Sequence, residues 1–344
     1  MPSHVLPQAY FVGYPTIDMA ELIRYLIDSG NMEFLDTIDA ARAGGVTDAS
    51  ILCSYYAKLC YAALRVGPNL NVERVRDIPD NVAGTLGQGH GSVFEHAVFN
   101  FTIRNCSRVF THECVRHRAG TAFSQTSGRY VRGDLINFVF DPILQPVEAH
   151  GRSLLASLED VYLTLCDRMG LNGVAGIRRT LTTQVLAKDG QGRDSHVEHL
   201  PPTDAQMEEF VRVTLGKSLA DLEKLPFSHK KQVTSALRRY LPNGQANEIG
   251  FSLNVRAVRH WFMLRTAAGA EWEIRLVANQ MYDLVKARHP LLVADALERE
   301  ADGQREVYGM KLQPYDLVLR APKKLADYSP AELEAELDRR RATT

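Results

Sequence analysis

Most periodic segments of the chain place their apolar residues at helical spacing. Residues 18–27 put Leu and Ile side chains on one face, and residues 47–67 form a longer, largely apolar run. Residues 148–170 are amphipathic, and residues 254–288 predict two helices separated near Ala267–Gly269. Helices are therefore the main elements that the pattern predicts.

Strand patterns are fewer and shorter than the helical ones. In residues 93–103, Phe99, Phe101 and Ile103 share one face while polar residues lie between them, and residues 135–140 predict a second strand. A helix-rich α+β fold with few strands follows from this balance.

Local signals define further helices. Residues 111–118 have a helical pattern, and Thr203 with Gln206 forms a capping box that starts a helix over residues 204–224. A short helix is predicted over residues 234–242, and a second capping box at Ser329 starts a terminal helix.

The domain organisation is simple. We expect one domain over residues 1–300, with a surface insertion near residues 188–202, which are polar and contain glycine. Residues 301–344 are predicted to form a C-terminal helical extension.

Composition narrows the classes of function. The 344 residues carry a net charge of −1, so nothing global attracts the chain to nucleic acid or to a membrane surface. No stretch approaches the roughly 20 apolar residues of a membrane span. The five cysteines form no CxxC pair, which indicates reduced thiols, and we expect a cytoplasmic protein.

The segment VRHRAGTAFSQTSGRYVR, residues 115–132, concentrates cations beside neutral hydrogen-bonding groups. Arg116, His117 and Arg118 are followed by Gln125, Ser127 and Arg129, which lie in or beside a glycine-containing loop. An amide and a hydroxyl can bind the edges of a neutral heterocycle, while a guanidinium can bind a phosphate. A nucleotide requires this mixture of groups.

A second segment, residues 241–275, also places cations beside neutral hydrogen-bonding groups. Asn254, Arg256, His260 and Arg265 lie on or near one predicted helix, and Arg256 and His260 share a face at i, i+4 spacing. Trp261, Phe262 and Leu264 are predicted to pack inward. Taken alone, this segment is explained better by a charged helix face over a core than by a binding site, and Arg238 is a further cation that could reach a phosphate.

The stretch GHGSVFEH, residues 89–96, raises the question of a metal site. His90 and His96 are six residues apart around Glu95, which is not the HExxH spacing, and no Cys or Asp cluster accompanies them. We therefore expect no metal.

Together these motifs resemble the flavin-dependent thymidylate synthases. RHR followed by a spacer and SGRY resembles the signature of that family, and GHGSVFEH, THECVRHR, RRYLP, NVRAVRHWFMLR and AEWEIR resemble its neighbouring segments in the same order. The resemblance covers about residues 50–290.

The resemblance implies a fold and a chemistry. It implies a twisted, mostly antiparallel sheet flanked by helices, in a homotetramer whose active sites are shared between subunits. It also implies FAD-dependent C5-methylation of dUMP or UMP, with methylenetetrahydrofolate as carbon donor and NADPH as reductant.

Roles carry over to individual positions through the same resemblance. FAD binding is implied for His90, Ser92, Glu95, Arg116, His117, Arg118, Asn254, Arg256 and His260. Substrate binding is implied for Glu113, Gln125, Ser127, Gly128, Arg129, Arg238 and Arg265. The catalytic set comprises Arg116, Ser127, Arg129 and Arg265, with Ser127 as a hydrogen-bond partner rather than a nucleophile.

The signature departs from the family pattern at one point. Eight residues, Ala119–Thr126, separate RHR from the serine where the family has seven. An extra residue can shift the loop by up to about 3.5 Å. The altered loop and the extra length at both ends lead to the hypothesis that the chain resembles the branch of the family that methylates UMP as well as dUMP.

Two other functions remain open at the level of sequence. The basic segment 115–132 could belong to an RNA-binding module, although the near-neutral net charge and the lack of interleaved aromatic residues disfavour it. A flavoprotein of the same fold that only oxidises NADPH is the other alternative.

Overall fold

The computed structural model describes residues 4–131, 137–188, 194–312 and Ser329. The amino-terminal half contains β1 (Gln8–Gly13), α1 (Met19–Asp28), α2 (Glu33–Ala43), α3 (Asp48–Cys60), α4 (Ile78–Gln88), β2 (Val98–Ser107), α5 (Arg108–Cys114), β3 (Thr121–Gln125) and α6 (Glu148–Arg168). The remainder contains α7 (Gly173–Leu181), β4 (Thr183–Lys188), β5 (Asp194–Leu200), α8 (Asp204–Leu215), α9 (Phe227–Leu237), β6 (Ala246–Asn254), α10 (Val255–Arg265), α11 (Trp272–Arg288), β7 (Leu297–Ala301) and β8 (Gln304–Tyr308).

The central sheet has the strand order β1-β2-β6-β3, and every pairing within it is antiparallel. Two strands that are far apart in sequence, β2 and β6, are paired at its centre, with Phe101 opposite Phe251. The predicted α+β class is therefore confirmed by helices around an antiparallel sheet.

One face of the sheet supplies the main core. The side chains of Phe99, Phe101 and Ile103 are at most 1% exposed, as their alternation predicted. They belong to one cluster with Phe251 of β6 and Trp261 of α10. Because α10 and α11 pack over this face, the core fixes where α10 begins relative to β6.

Smaller apolar clusters lie outside the main core. Met207 and Val211 of α8 pack with Ile177 of α7, and Tyr162 and Cys166 of α6 belong to a separate cluster with α9. No helix within the described ranges is both long enough and apolar enough to cross a bilayer.

Several predicted boundaries are wrong. The helix predicted to run to residue 67 ends at Cys60, and the strand predicted from residue 93 begins at Val98. The helix predicted over residues 204–224 ends at Leu215, where Gly216 adopts a left-handed conformation with φ of +63°. Glycine tolerates this conformation, so it ends the helix there.

Other departures concern residue placement. Leu264 is 47% exposed rather than inward, whereas Trp261 and Phe262 are buried as predicted. Helix α5 ends at Cys114, so Arg116–Arg118 follow the helix instead of lying on it. The short helix predicted over residues 234–242 is the end of α9, followed by one 3₁₀ turn at Arg238–Tyr240.

The predicted insertion and extension both contain strands where the structure describes them. Residues 194–200, within the predicted insertion, are strand β5, paired with β4. Residues 304–308 are strand β8, and Val307 joins the main core, so the expected boundary at residue 300 falls within a hairpin. The strand predicted over 135–140 is partly outside the described residues, as is the terminal helix expected after Ser329.

His289 is a buried histidine between the sheet and α3. Its ring stacks on Phe99 with centroids 4.6 Å apart, and its Nδ1 is 2.8 Å from Oγ1 of Thr47. Its Nε2 has no hydrogen-bond partner among the described residues. Burial, followed by the charge of Arg288, lowers the pKa of His289 to about 4.

This pKa predicts acid destabilisation. Between about pH 6.5 and 4 the unfolded chain binds a proton at His289 that the folded chain does not, so the free energy of unfolding falls as pH falls. The full effect is up to about 3 kcal/mol. In urea unfolding across this pH range, His289→Phe is expected to reduce the slope, whereas exposed His199→Gln leaves it unchanged. Equal slopes for all three proteins would contradict the assignment.

Candidate active site

The candidate site is organised around the junction of β6 and α10. Asn254 ends the strand, and its side-chain Oδ1 accepts from the backbone N–H of Ala257 at 2.8 Å, which caps the helix. The backbone N–H of Asn254 donates to the carbonyl oxygen of Gly120 at 2.9 Å. Gly120 has φ of +69°, and a Cβ atom there would lie 2.3 Å from Nδ2 of Asn254. Only glycine therefore allows this close approach without displacement.

A cavity of about 590 Å³ opens beside this junction. It gathers residues from four parts of the chain: Glu95; Arg116, His117, Arg118 and Thr121; Asn254, Arg256, Ala257 and His260; and Leu312. Arg256 and His260 both line it from one face of α10, as their spacing predicted. The cavity thus brings together seven of the nine residues predicted to bind FAD.

Two of the three cavity arginines are held by carboxylates. Arg256 donates to Glu95 at 2.6 Å, and Arg116 donates to Glu113 at 2.6 Å. Glu113 also lies 3.3 Å from Arg265, so it bridges two guanidiniums. No such pair with a carboxylate is present for Arg118 in the ranges that the structure describes. Arg118 is therefore the cavity cation whose charge is least compensated.

His117 lies between these groups as a neutral ring. Arg265 donates from Nε to Nε2 of His117 at 2.8 Å, so Nε2 acts as the acceptor and the proton of the neutral ring belongs on Nδ1. Burial lowers the pKa of His117 to about 4, with further lowering by the charges of Arg265 and His260 and an opposing effect of Glu113. His117 is therefore an uncharged hydrogen-bonding group near neutral pH.

The predicted substrate residues lie mainly at the opposite end of β3. Thr121 at the start of the strand lines the cavity and Gln125 is its last residue, so about 13 Å of strand separates the two groups. The loop over residues 127–130 turns back on itself, because the backbone N–H of Arg129 donates to Oγ of Ser127 at 3.3 Å. Oγ1 of Thr234 donates to the carbonyl oxygen of Arg129 at 2.7 Å and ties the loop to α9.

Gly128 and Arg238 meet in this second group. A Cβ atom on Gly128 would lie 3.8 Å from Cβ of Arg238, and Gln125 donates to Oγ1 of Thr111 at 3.0 Å. The structure therefore brings Ser127, Gly128, Arg129 and Arg238 together, but it places them away from the 590 Å³ cavity.

A larger cavity of about 900 Å³ contains the remaining two predicted FAD residues. His90 and Ser92 line it together with Lys58, Arg74 and Asn81. His90 and Ser92 therefore line a different cavity from Glu95, which lines the smaller one.

The cysteines near the signature are poor nucleophiles. Cys106 and Cys114 are fully buried, and burial raises the pKa of both thiols well above the ordinary value. Both therefore remain protonated near neutral pH. Across the described ranges, no three His, Cys, Asp or Glu side chains gather as metal ligands would.

Sequence reasoning overlooked two contributors to these groups. Gly120 was passed over, although a glycine directly after RHR-Ala signals a tight backbone approach. Arg108, whose Nη2 would lie 3.2 Å from a Cβ on Gly128, carries no motif that could have identified it.

Comparison with known proteins assigns the family. The sequence model of the thymidylate synthase complementing protein family, Thy1, matches residues 45–291, which are most of the chain. The chain belongs to this family. The resemblance predicted over residues 50–290 is thereby confirmed, and the matched Thy1 region contains every residue predicted for the site.

Two bacterial relatives agree with this assignment. A flavin-dependent thymidylate synthase from Clostridium tetani is 26% identical over 239 residues, covering 69% of this chain and 77% of the relative. One from Geobacter sulfurreducens is 28% identical over 245 residues, covering 70% and 78%. Among solved structures, the UMP/dUMP methylase PolB from Streptomyces cacaoi, bound with 5-Br dUMP, aligns with 15% identity and a TM-score of 0.41, covering 86% of this chain and 97% of PolB.

The junction of β6 and α10 predicts that substituting Gly120 lowers the free energy of unfolding. In Gly120→Ala the new methyl group would overlap Asn254, so we expect a loss of about 2–4 kcal/mol in the free energy of unfolding. Gly45→Ala is the matched control, because Gly45 has φ of +76° but nothing within 4 Å of a built Cβ. Its expected loss is about 1 kcal/mol. Equal losses in urea unfolding would show that the contact with Asn254 is unimportant.

Proposed function

We propose that the protein is a flavin-dependent enzyme that methylates C5 of a uridine monophosphate, dUMP, UMP or both. The carbon donor is methylenetetrahydrofolate and the reductant is NADPH. The observation that carries this proposal is the cavity in which residues 116–118 meet Asn254, Arg256 and His260. The named activity of the two bacterial relatives supports it.

The cavity suits FAD by the chemistry of its donors. Its volume is in the range of small-molecule sites, and it offers guanidinium, imidazole and amide groups beside the apolar side chains of Leu253, Ala257 and Leu312. Arg118 supplies a positive charge without a described carboxylate partner, which a pyrophosphate would compensate. Arg256 and Arg116 are already oriented by Glu95 and Glu113, so they are preorganised for hydrogen bonding. When bound, reduced FAD supplies a hydride.

The residues of the chain position and polarise the pyrimidine. In the net reaction C5 loses a proton and gains the methylene carbon of the folate, which a hydride reduces to methyl. C5 becomes nucleophilic as negative charge develops on the ring nitrogen and carbonyl oxygens. A fixed guanidinium next to those oxygens stabilises this charge. Arg265, held by Glu113 and by neutral His117, is the residue that we assign to this role.

The second group of residues supplies the nucleotide site. Arg129 and Arg238 are exposed cations. Ser127 and Gly128 form a turn beside them, and the hydroxyl of Ser127 can donate to a phosphate oxygen. Ser127 has no general base close in sequence, so we assign it hydrogen bonding and not nucleophilic attack.

The spacing of the two groups favours a site shared between subunits. Within one chain, β3 separates the nucleotide residues from the cavity by about 13 Å. Packing of a second copy can bring the loop of one subunit towards the cavity of another, and we expect a homotetramer. Arg116 and Arg238 would then serve one site from different chains.

The function is tested with purified protein, FAD, NADPH and methylenetetrahydrofolate. We expect FAD to bind and both dUMP and UMP to be converted to their 5-methyl products. Arg256→Gln is expected to weaken FAD binding by about 10- to 100-fold, the usual effect of losing a charged hydrogen bond. The exposed Arg24→Gln, which loses a surface pair with Glu21, leaves it unchanged.

The outcomes separate the parts of this proposal. Protein that stays colourless with FAD, and gives no methylated product, would reject the function. A kcat/KM far higher for dUMP than for UMP would reject only the UMP branch, which rests on the longer signature loop.

Shared sites are tested by mixing two inactive variants. When Arg116→Ala and Arg238→Ala chains are co-expressed, random assembly leaves about a quarter of the shared sites with both arginines. We therefore expect partial activity from the mixture and almost none from either variant alone. Absence of rescue, with mixed oligomers demonstrated by tagged subunits, would place both arginines in one chain's site.

A further inference from the structure

The chain runs on past the region that matches Thy1 and comes back to the cavity beside Arg256. Strand β8 ends at Tyr308, and the next four residues, 309–312, lead to Leu312, which lines the 590 Å³ cavity. The Thy1 match ends at residue 291, so this strap, residues 309–312, lies outside it. The strap is therefore a contributor to the cavity that none of the sequence motifs includes.

A buried ion pair holds the strap by both main-chain polar groups of Lys311. The guanidinium of Arg259, which is 1% exposed, donates to the carboxylate of Asp295 at 2.7 and 2.8 Å. The same guanidinium donates to the carbonyl oxygen of Lys311 at 3.0 Å, and the backbone N–H of Lys311 donates to Asp295 at 3.1 Å. Nζ of Lys311 donates to the carbonyl oxygen of Gly87 at 2.8 Å. Together with the buried side chain of Met310, these bonds fix the strap against α10 and the end of α4.

The strap ends in close contact with Gly91. A Cβ atom on Gly91 would lie 2.1 Å from the carbonyl oxygen of Leu312 and 3.0 Å from Nε of Arg256, so only glycine allows this approach without displacement. Gly91 begins a 3₁₀ turn that ends at Glu95, whose carboxylate accepts from Arg256. The end of the strap thus lies against the turn that carries the carboxylate partner of Arg256.

We propose that the strap is a wall of the cofactor site, in which Leu312 covers one side of bound FAD. Its contact with Gly91 also holds the Glu95–Arg256 pair in position. This inference rests on the proposed function. The side chains of Glu95 and Arg256 are 47% and 33% exposed, and an ion pair so exposed is weak on its own, so a fixed neighbour improves its orientation. The ring faces of FAD are apolar, so contact with a leucine removes apolar surface from water.

The first test measures FAD affinity in Leu312 variants of the full chain. Leu312→Ala is expected to weaken equilibrium FAD binding by about 3- to 10-fold, because apolar contact with the cofactor is lost. Leu312→Met keeps nearly the same volume and is expected to restore most of the affinity. Leu154→Ala shortens an exposed leucine of α6 and serves as the control, with unchanged FAD binding.

Urea unfolding of the FAD-free variants separates a role in binding from a role in stability. Leu312 is only partly buried, so Leu312→Ala is expected to leave the unfolding midpoint of the FAD-free protein nearly unchanged. A purely structural role would instead lower that midpoint and leave the FAD affinity of the folded protein as it was.

Gly91→Ala tests the contact from the other side. The new methyl group would overlap the main-chain carbonyl of Leu312, so the strap must move, and FAD binding is expected to weaken by about 10-fold or more. Gly269→Ala is the matched control, because nothing lies within 4 Å of a built Cβ there. In the Gly91→Ala background, Leu312→Ala should cost less affinity than it does alone, because the strap is already displaced. If Gly91→Ala does not fold, the Leu312 variants decide the matter.

The outcomes distinguish this inference from the proposed function. If the unsubstituted protein binds FAD and Leu312→Ala binds it equally well, the strap does not cover the cofactor. Equal losses of affinity in Leu312→Ala and Leu312→Met would show that apolar contact is not the cause, and would also overturn the inference. If the unsubstituted protein does not bind FAD, the proposed function fails and the inference fails with it.

Discussion

The hydrogen bonds around Asn254 hold three separate parts of the chain together. Its backbone N–H binds the carbonyl oxygen of Gly120, its side chain caps α10, and the next N–H, of Val255, donates to Ala97. Strand β6, the start of β2 and the turn after RHR therefore meet at one point. The cavity residues Arg118 and Arg256 are each two residues from a main-chain hydrogen bond between Gly120 and Asn254. The relative positions of their backbones therefore depend on main-chain hydrogen bonds and not on flexible side-chain contacts. A site built this way needs little rearrangement before it binds its ligand.

The arginines of the site fall into two electrostatic classes. On the cavity side, Glu95 and Glu113 hold Arg256 and Arg116 in fixed orientations, and Arg265 is fixed by Glu113 and His117. Two carboxylates face these three arginines, so one positive charge remains in addition to that of Arg118, and the pairs define where the donors point, which suits a ring whose charge changes during a reaction. At the other end of β3 the cations have no described carboxylate partners and retain their full charge. That arrangement suits a ligand with a permanent negative charge, such as a phosphate.

Sequence periodicity correctly predicted which side chains of the central elements share a face. Phe99, Phe101 and Ile103 were placed on one buried face by alternation alone, and the face of α10 that carries Arg256 and His260 followed from helical spacing. Prediction failed where local signals compete with packing. The helical extension expected from residue 301 contains strand β8 instead, because pairing with β7 places Val307 in the main core. Leu264 lies on the face of α10 that carries the exposed His260, away from the buried Val258 and Phe262.

The sequence by itself determined which residue types are available to the site and in what order, because the motifs and their spacing are properties of the amino-acid sequence. The tertiary structure alone decided how they are grouped. Residues 116–118 join Asn254 and Arg256, while Ser127, Arg129 and Arg238 lie a strand length away and Arg108 enters beside them. Such grouping arises from the register of β3 on β6 and from the main-chain bonds of Gly120 and Asn243. No local pattern encodes contacts between residues more than a hundred positions apart, because they form only when the core has packed.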